Sequence, residues 1–344
     1  MAAPASPRLT WFARRWIAPS LCATFVVAAA CARHDAVAGM SDQALWSLIT
    51  ALSEPPGTFS VSDNLVSNEP HLAENVRRLR PAGGIYIGVG PEQNFSYIAQ
   101  LRPAVAFIVD IRRENRSLHL LYKALFEMSA DRADFVARLF SRPRPGGLGR
   151  DSTVDEIFRQ FDGTRPSREQ FAWNGRLLRE RLLDTHKFPL EQVDLDWIGH
   201  VFTAFYTDGP SIRYWRAPQV DAVQPSYREL MTATDRIGLA RSFLATEDAF
   251  QFLKDLHARN LIVPLVGDFG GPSTLRLVGD YARRHGDVIR AFYGSNVGVY
   301  LTREKTRMFC RHLAALPASR DAWFIERDGV RSFTSKLKTC APPP

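Results

Sequence analysis

The sequence predicts a doubly wound α/β fold, a mainly parallel sheet carrying a helical insertion, on three observations. The first is Gly83 to Asp110, GGIYIGVGPEQNFSYIAQLRPAVAFIVD, which reads as strand, glycine turn, helix and strand. The second is a later strand-to-helix turn, where the apolar run Leu261 to Val266 ends in Gly267-Asp268-Phe269-Gly270-Gly271-Pro272, with Pro272 suited to the first helical position. The third is Val288 to Tyr293, a further β-prone run closed by Gly294-Ser295-Asn296. Strands that alternate with helical patterns build βαβ units.

Along the chain, Leu45, Trp46, Leu48, Ile49 and Leu52 put an apolar face on a helix over Ser41 to Leu52, with Ser41 as its N-cap and Pro55-Pro56-Gly57 as its stop. The polar stretch SDNLVSNE (62 to 69) follows, and Pro70 opens a helix toward Leu79. In the βαβ unit, Ile85 to Ile87 form the strand and Gly88-Val89-Gly90 breaks it with nothing to obstruct a ligand. Phe95, Ile98, Ala99 and Leu101 recur at helical spacing, and Ala104 to Val109 starts the second strand. Asp110 falls twenty positions after Gly90, where a nucleotide-binding fold places a carboxylate on ribose hydroxyls. A third glycine, expected for a dinucleotide, is replaced by Gln93, and Glu92 puts negative charge where a pyrophosphate would sit. A cationic or uncharged adenosine ligand suits this turn better.

Leu118 to Met128 forms the next amphipathic helix, with His119 and Tyr122 on it. Residues 129 to 235 read as helices broken at Pro143 to Gly149, Gly163 to Pro166 and Thr207 to Pro210, more helix than a crossover needs, and so as an inserted cap. Within it WIGHVFTAFYTDG (197 to 209) offers His200 and Tyr206 as acid/base groups, with Asp208 in a turn beside them, although Ile198, Val201, Phe202 and Phe205 also describe a core helix. Leu244 to Asn260 is another amphipathic helix. Since open parallel sheets bind ligands beyond their strand ends, Asp110, Asp268 and Asn296 are expected to converge with Gly88 and Gly90. Ala322 to Glu326 reads as an edge strand and 331 to 344 as a flexible tail.

Composition fits a folded globular chain: 45% apolar and 23% charged residues over 344 positions exclude wholesale disorder. The net charge is +8, three of it from Arg8, Arg14 and Arg15. The basic stretches Arg112-Arg113 and Arg142 to Arg144 lack interleaved aromatics, so nucleic acid is not an expected partner and a small-molecule ligand is. Those three arginines precede an apolar segment, Trp16 to Cys31, that ends in small residues, the pattern of a signal peptide over residues 1 to 38. Cleavage after Ala38, lipid attachment at Cys31 and a retained membrane anchor are the three forms this leader allows. An exported or anchored domain on the periplasmic side is expected, with a cytoplasm-facing anchored domain as the alternative. Cys310 and Cys340 remain as one pair, bridged or as two thiols. No hydrolase elbow, P-loop lysine motif, His-Glu-x-x-His or Cys-x-x-Cys is present.

The IYIGVG turn with Asp110 at the end of the next strand resembles the cofactor site of class I S-adenosylmethionine-dependent methyltransferases. A longer stretch is similar to a poorly characterised bacterial family with that methyltransferase-like Rossmann fold: SDNLVSNE (62 to 69), GVGPEQNFSYIA (88 to 99), FIVDIRREN (107 to 115), LHLLYKALFE (118 to 127), 242 to 272 and AFYGSNV (291 to 297). The resemblance implies S-adenosylmethionine as cofactor, held around Gly88, Gly90, Glu92, Asn94, Asp110 and Arg112. It implies Asn64, Asn68 and Glu69 on the substrate side, with Tyr206, Asp268 and Asn296 nearest the chemistry. Methyl transfer to an unknown acceptor is the expected activity. The competing expectation is an exported, non-catalytic binding protein that retains the fold, which the leader, Tyr86 in the first strand and Glu92 in the turn favour.

Overall fold

The computed structural model describes residues 1–2, 38–59, 63–214 and 224–340. Residues 3–37 of the leader, Cys31 among them, lie outside the described residues, as do residues 341–344.

Helix α1 (Asp42–Leu52) opens where the sequence puts it, the Ser41 hydroxyl accepting from the Ala44 N–H. Helix α2 (Leu72–Arg78), strand β1 (Ile85–Gly88), helix α3 (Gln93–Leu101) and strand β2 (Val105–Asp110) complete the expected first unit. Helix α4 (Arg113–Met128) begins a turn before its apolar pattern, because Arg113 and Arg116 both reach the buried Asp194. The insertion holds α5 (Arg132–Leu139), α6 (Val154–Asp162), α7 (Arg168–Glu180), α8 (Gln192–Asp208) and α9 (Tyr227–Thr232). Capping boxes Thr153/Glu156 and Ser226/Glu229 start α6 and α9. Then follow α10 (Glu247–Ala258), β3 (Ile262–Val266), α11 (Thr274–Arg284), β4 (Ile289–Tyr293), α12 (Arg303–Ala315), β5 (Ala318–Glu326), β6 (Gly329–Ser332) and α13 (Phe333–Cys340).

The strands form one sheet in the order β3-β2-β1-β4-β5-β6, with β6 antiparallel to β5 and the others parallel. This is a Rossmann-like order, reversing direction between β1 and β4. Alternation along β4 shows how both faces are covered: Tyr293 packs on Tyr97 of α3, and the adjacent Phe292 packs on Phe309 of α12. The insertion shares the core instead of forming its own, since Tyr122 of α4 meets both Phe135 of α5 and Phe205 of α8. Among the described residues no helix is long and apolar enough to cross a membrane.

Three expectations are corrected. Strand β5 is not the edge, because β6 pairs outside it through Ile325 and Val330. The expected tail from 331 is ordered as the end of β6 and as α13, and a Cys310–Cys340 disulfide fastens α13 to α12 with Cα atoms 5.4 Å apart. Pro272 stands ahead of the first helical position, since α11 starts at Thr274 behind Ser273. The Glu54 carboxylate covers that helix start, accepting from the Ser273 and Thr274 N–H groups at 2.7 Å each.

Candidate functional site

The loops after β1, β2, β3 and β4 meet around a cavity of about 380 Å³ at the point where strand order reverses. Small-molecule pockets run from roughly 300 to 1,000 Å³. The loop after β1 contributes Val89, Gly90 and Pro91; that after β2, Ile111 and Arg112 beside Asp110; that after β3, Gly267 to Phe269; that after β4, Ser295 to Val297. Phe59, Asn64, Ser67, Asn68 and Glu69 form a further wall, and Lys305 of α12 closes one side.

Of the residues singled out from sequence, Asn64, Asn68, Glu69, Gly90, Asp110, Arg112, Asp268 and Asn296 line this cavity. Asp110 is held by its neighbour: Oδ1 accepts from the Arg112 N–H and Nε at 2.9 and 3.0 Å, and Oδ2 accepts from Nη2 at 3.1 Å. A carboxylate offers about four acceptor positions. Three are taken by Arg112, so one on Oδ2 is left for a ligand hydroxyl where the sequence suggested two. Asp268 is likewise engaged, Oδ1 accepting from the Gly270 N–H and Oδ2 lying 2.6 Å from the Lys305 ammonium.

Four expected site residues do not line the cavity. Gly88 lies beneath it, where a Cβ would collide with the Asn94 amide and the Tyr86 ring, so its glycine serves packing. Asn94 is buried as the keystone of the turn: its Nδ2 donates to the carbonyls of Val89, Gly90 and Pro91, and its Oδ1 accepts from the Tyr86 hydroxyl at 2.8 Å. Glu92 points inward and accepts the Ser67 N–H on both oxygens, at 3.0 and 3.1 Å. Tyr206 stacks on Phe171 at 4.5 Å within the insertion, away from the strand ends. His200, on the same helix, is exposed and pairs with Asp63 at 3.3 Å.

Sequence reasoning missed an inner cluster. Glu69 Oε1 accepts from Tyr293 Oη and Ser295 Oγ at 2.6 Å each, and Gln93 Nε2 donates to Tyr293 Oη at 3.2 Å and to the Val89 carbonyl at 3.0 Å. Gln93 had been read only as a missing glycine, and Tyr293 only as the end of a strand. Their positions at the start of α3, behind the glycine turn, and at the end of β4 are the available signal. Burial pushes the Glu69 carboxyl up, against the hydrogen bonds of Ser295 and Tyr293, and burial pushes the Tyr293 hydroxyl well up, so it stays a donor. Burial also pushes Glu92 up to about 7, the Glu69 charge adding to the effect. His119 of α4 is buried against the glycine turn, with Nε2 2.9 Å from the Gly90 carbonyl, and burial pushes it down to about 4. Neutral Nε2–H donation to that carbonyl follows, which makes His119 a brace for the turn. Among the described residues no group of three or more His, Cys, Asp or Glu side chains is arranged to hold a metal ion.

Fold and cavity together define a Rossmann-like α/β protein with a small-molecule-sized site at its strand reversal. The chain belongs to the family described as domain of unknown function DUF7790, whose model matches residues 64–146 and 204–336. Of the cavity wall, 64 to 112, Tyr214 and 267 to 305 fall inside the match, and Thr58 and Phe59 outside it. Residues 147–203, with α6, α7 and most of α8, fall between its two parts. No curated protein matches the chain.

Proposed function

We propose that the cavity binds S-adenosylmethionine, or a close adenosine-type relative, and that the protein transfers its methyl group to a small acceptor. The observation that carries this reading is the charge of the cavity wall at the strand reversal. Asp110 is matched by Arg112 and Asp268 by Lys305, which leaves the Glu69 carboxyl in excess and suits a cationic ligand. Gly90, at φ 78°, lets the backbone approach the ligand, and the open acceptor position on Asp110 takes a ribose hydroxyl. The catalytic role of the remaining wall is alignment, with Asp268 and Asn296 on the acceptor side, since methyl transfer needs proximity more than a nucleophile supplied by the protein. Calorimetric titration of the protein with S-adenosylmethionine is expected to show saturable binding that Asp110→Ala weakens at least tenfold. A folded protein that binds neither S-adenosylmethionine nor its demethylated product removes this reading.

The Cys310–Cys340 disulfide favours a second reading, an exported binding protein that keeps the site without the reaction. Structural disulfides persist in oxidising compartments, whereas S-adenosylmethionine is a cytosolic donor. Ligand binding without turnover, in a protein recovered from the periplasmic side of the membrane, is what that reading expects.

A further inference from the structure

We infer that the inner corner of the cavity, formed by Glu69 and Gln93, is a subsite for a primary ammonium group of the ligand. The inference deepens the proposed function and rests on it for the occupancy of the cavity, but not for the adenosine part of the ligand.

Glu69 is 2% exposed and Gln93 3%, and both line the cavity. Glu69 is the one wall carboxylate with no ion-paired cation among the described residues, in contrast to Asp110 and Asp268. Arg327 acts on it only from a distance, its Nη2 donating to the Asn68 carbonyl at 3.3 Å. A buried carboxylate without a cation is costly, and the cost is removed when one is supplied.

Hydrogen bonding says which kind of cation fits. Both donors to Glu69 fall on Oε1, and Oε2 has no hydrogen-bond partner among the described residues. The orientation of the Gln93 amide is fixed, because its nitrogen faces the Val89 carbonyl and the Tyr293 oxygen, which itself donates to Glu69. Its oxygen is therefore an acceptor, and among the described residues it too lacks a partner. Two acceptors joined through one tyrosine hydroxyl thus lack donors. A sulfonium or quaternary ammonium has charge but no hydrogen to give, whereas a primary ammonium has three. Backbone strain is spent on this corner as well. Ser295 sits in the left-handed region at φ 45°, a conformation unfavourable for a residue with a side chain, and its hydroxyl reaches Glu69.

The test compares ligands with and without the amine. Wild type is expected to bind the demethylated product, S-adenosylhomocysteine, more tightly than methylthioadenosine, a thioether like it that lacks the amino acid part, and Glu69→Gln to erase that preference by roughly tenfold or more while leaving methylthioadenosine unchanged. A variant that keeps the preference overturns the inference. Wild-type protein alone gives a second measurement, independent of whether Glu69→Gln folds and of whether any adenosine compound binds. Butylammonium at millimolar concentration is expected to raise the melting temperature, and tetramethylammonium is not. Equal responses, or none to either, overturn the subsite even if the adenosine reading stands. A response to butylammonium in a protein that ignores both adenosine compounds keeps the subsite and removes the methyltransferase reading.

Discussion

Glu92 follows the glycine turn and His119 braces it, and burial drives their ionisation in opposite directions. Glu92 in the folded chain keeps a proton up to about 7 that the unfolded chain releases near 4.5, so its contribution to stability falls as pH rises through that window. His119 refuses a proton until about 4 that the unfolded chain takes up near 6.5, so its contribution is lost as pH falls through that window. The two slopes oppose each other over most of the acidic range. Glu92→Gln keeps an acceptor for the Ser67 N–H and removes one slope. Urea unfolding is expected to show the variant gaining up to about 3 kcal/mol over wild type between pH 4.5 and 7.5; a difference that does not grow with pH sinks the assignment. At this scale the sequence was only partly legible. Gly90 and Asp110 could be placed because strand, turn and spacing are local signals. The inward turn of Glu92 depends on Ser67, 25 residues away, and no local pattern carries that contact.

Secondary-structure elements were read well where an apolar period was long and poorly where docking supplies the stability. Helix α13 shows the difference: of its eight residues only Phe333 is fully buried, with Leu337 and Cys340 packed against the core. So short a helix is marginal alone in water and forms by docking. Strand β6, four residues with the sequence GVRS, has no alternation to read and is defined by its pairing to β5. The disulfide should therefore matter more to the end of the chain than any helix propensity. It closes a loop with a sequence separation of 30. In the loop-entropy account such a link contributes about 3 to 4 kcal/mol. Cys340→Ser is expected to lower the urea midpoint correspondingly, and limited proteolysis is expected to cut within α13 before the sheet. Wild type in strong reductant should match the variant; a variant as stable as oxidised wild type refutes the link's role. Helix α11 makes the complementary case, since the Glu54 carboxylate at its start lies more than 200 residues away in sequence and was invisible as a cap.

For the molecule as a whole, Gly90, Asp110, Asp268 and Asn296 converge at the strand reversal, with Gly88 packed beneath them, because βαβ units of one hand leave few ways to bring four strand ends together. What the sequence could not supply was the relation of the insertion to the rest. Its residues 147–203 fall between the two stretches that the family model matches, which suggests a module added to a complete fold. Packing argues otherwise. Asp194 of α8 is 1% exposed and carries ion pairs to Arg113 and Arg116 of α4, and Tyr227 of α9 packs edge-on against Phe140 and Phe205. Phe126 of α4 in turn touches Phe135 of the insertion and Phe250 of α10, so one aromatic cluster runs from the cap to the helices on the sheet. An insertion with its own core would melt alone, while one that borrows the sheet's core cannot lose it without exposing α4. Differential scanning calorimetry is therefore expected to give a single transition with equal calorimetric and van't Hoff enthalpies, although chains of this length often show more than one. A ligand in the cavity at a hundredfold excess over its Kd adds about 2.7 kcal/mol to the folded state. Fluorescence from Trp173 and Trp197 in the insertion should follow that shift to the same midpoint as the sheet signal. A cap that melts earlier, or that stays put when ligand raises the sheet, would show that the shared aromatic cluster does not couple them.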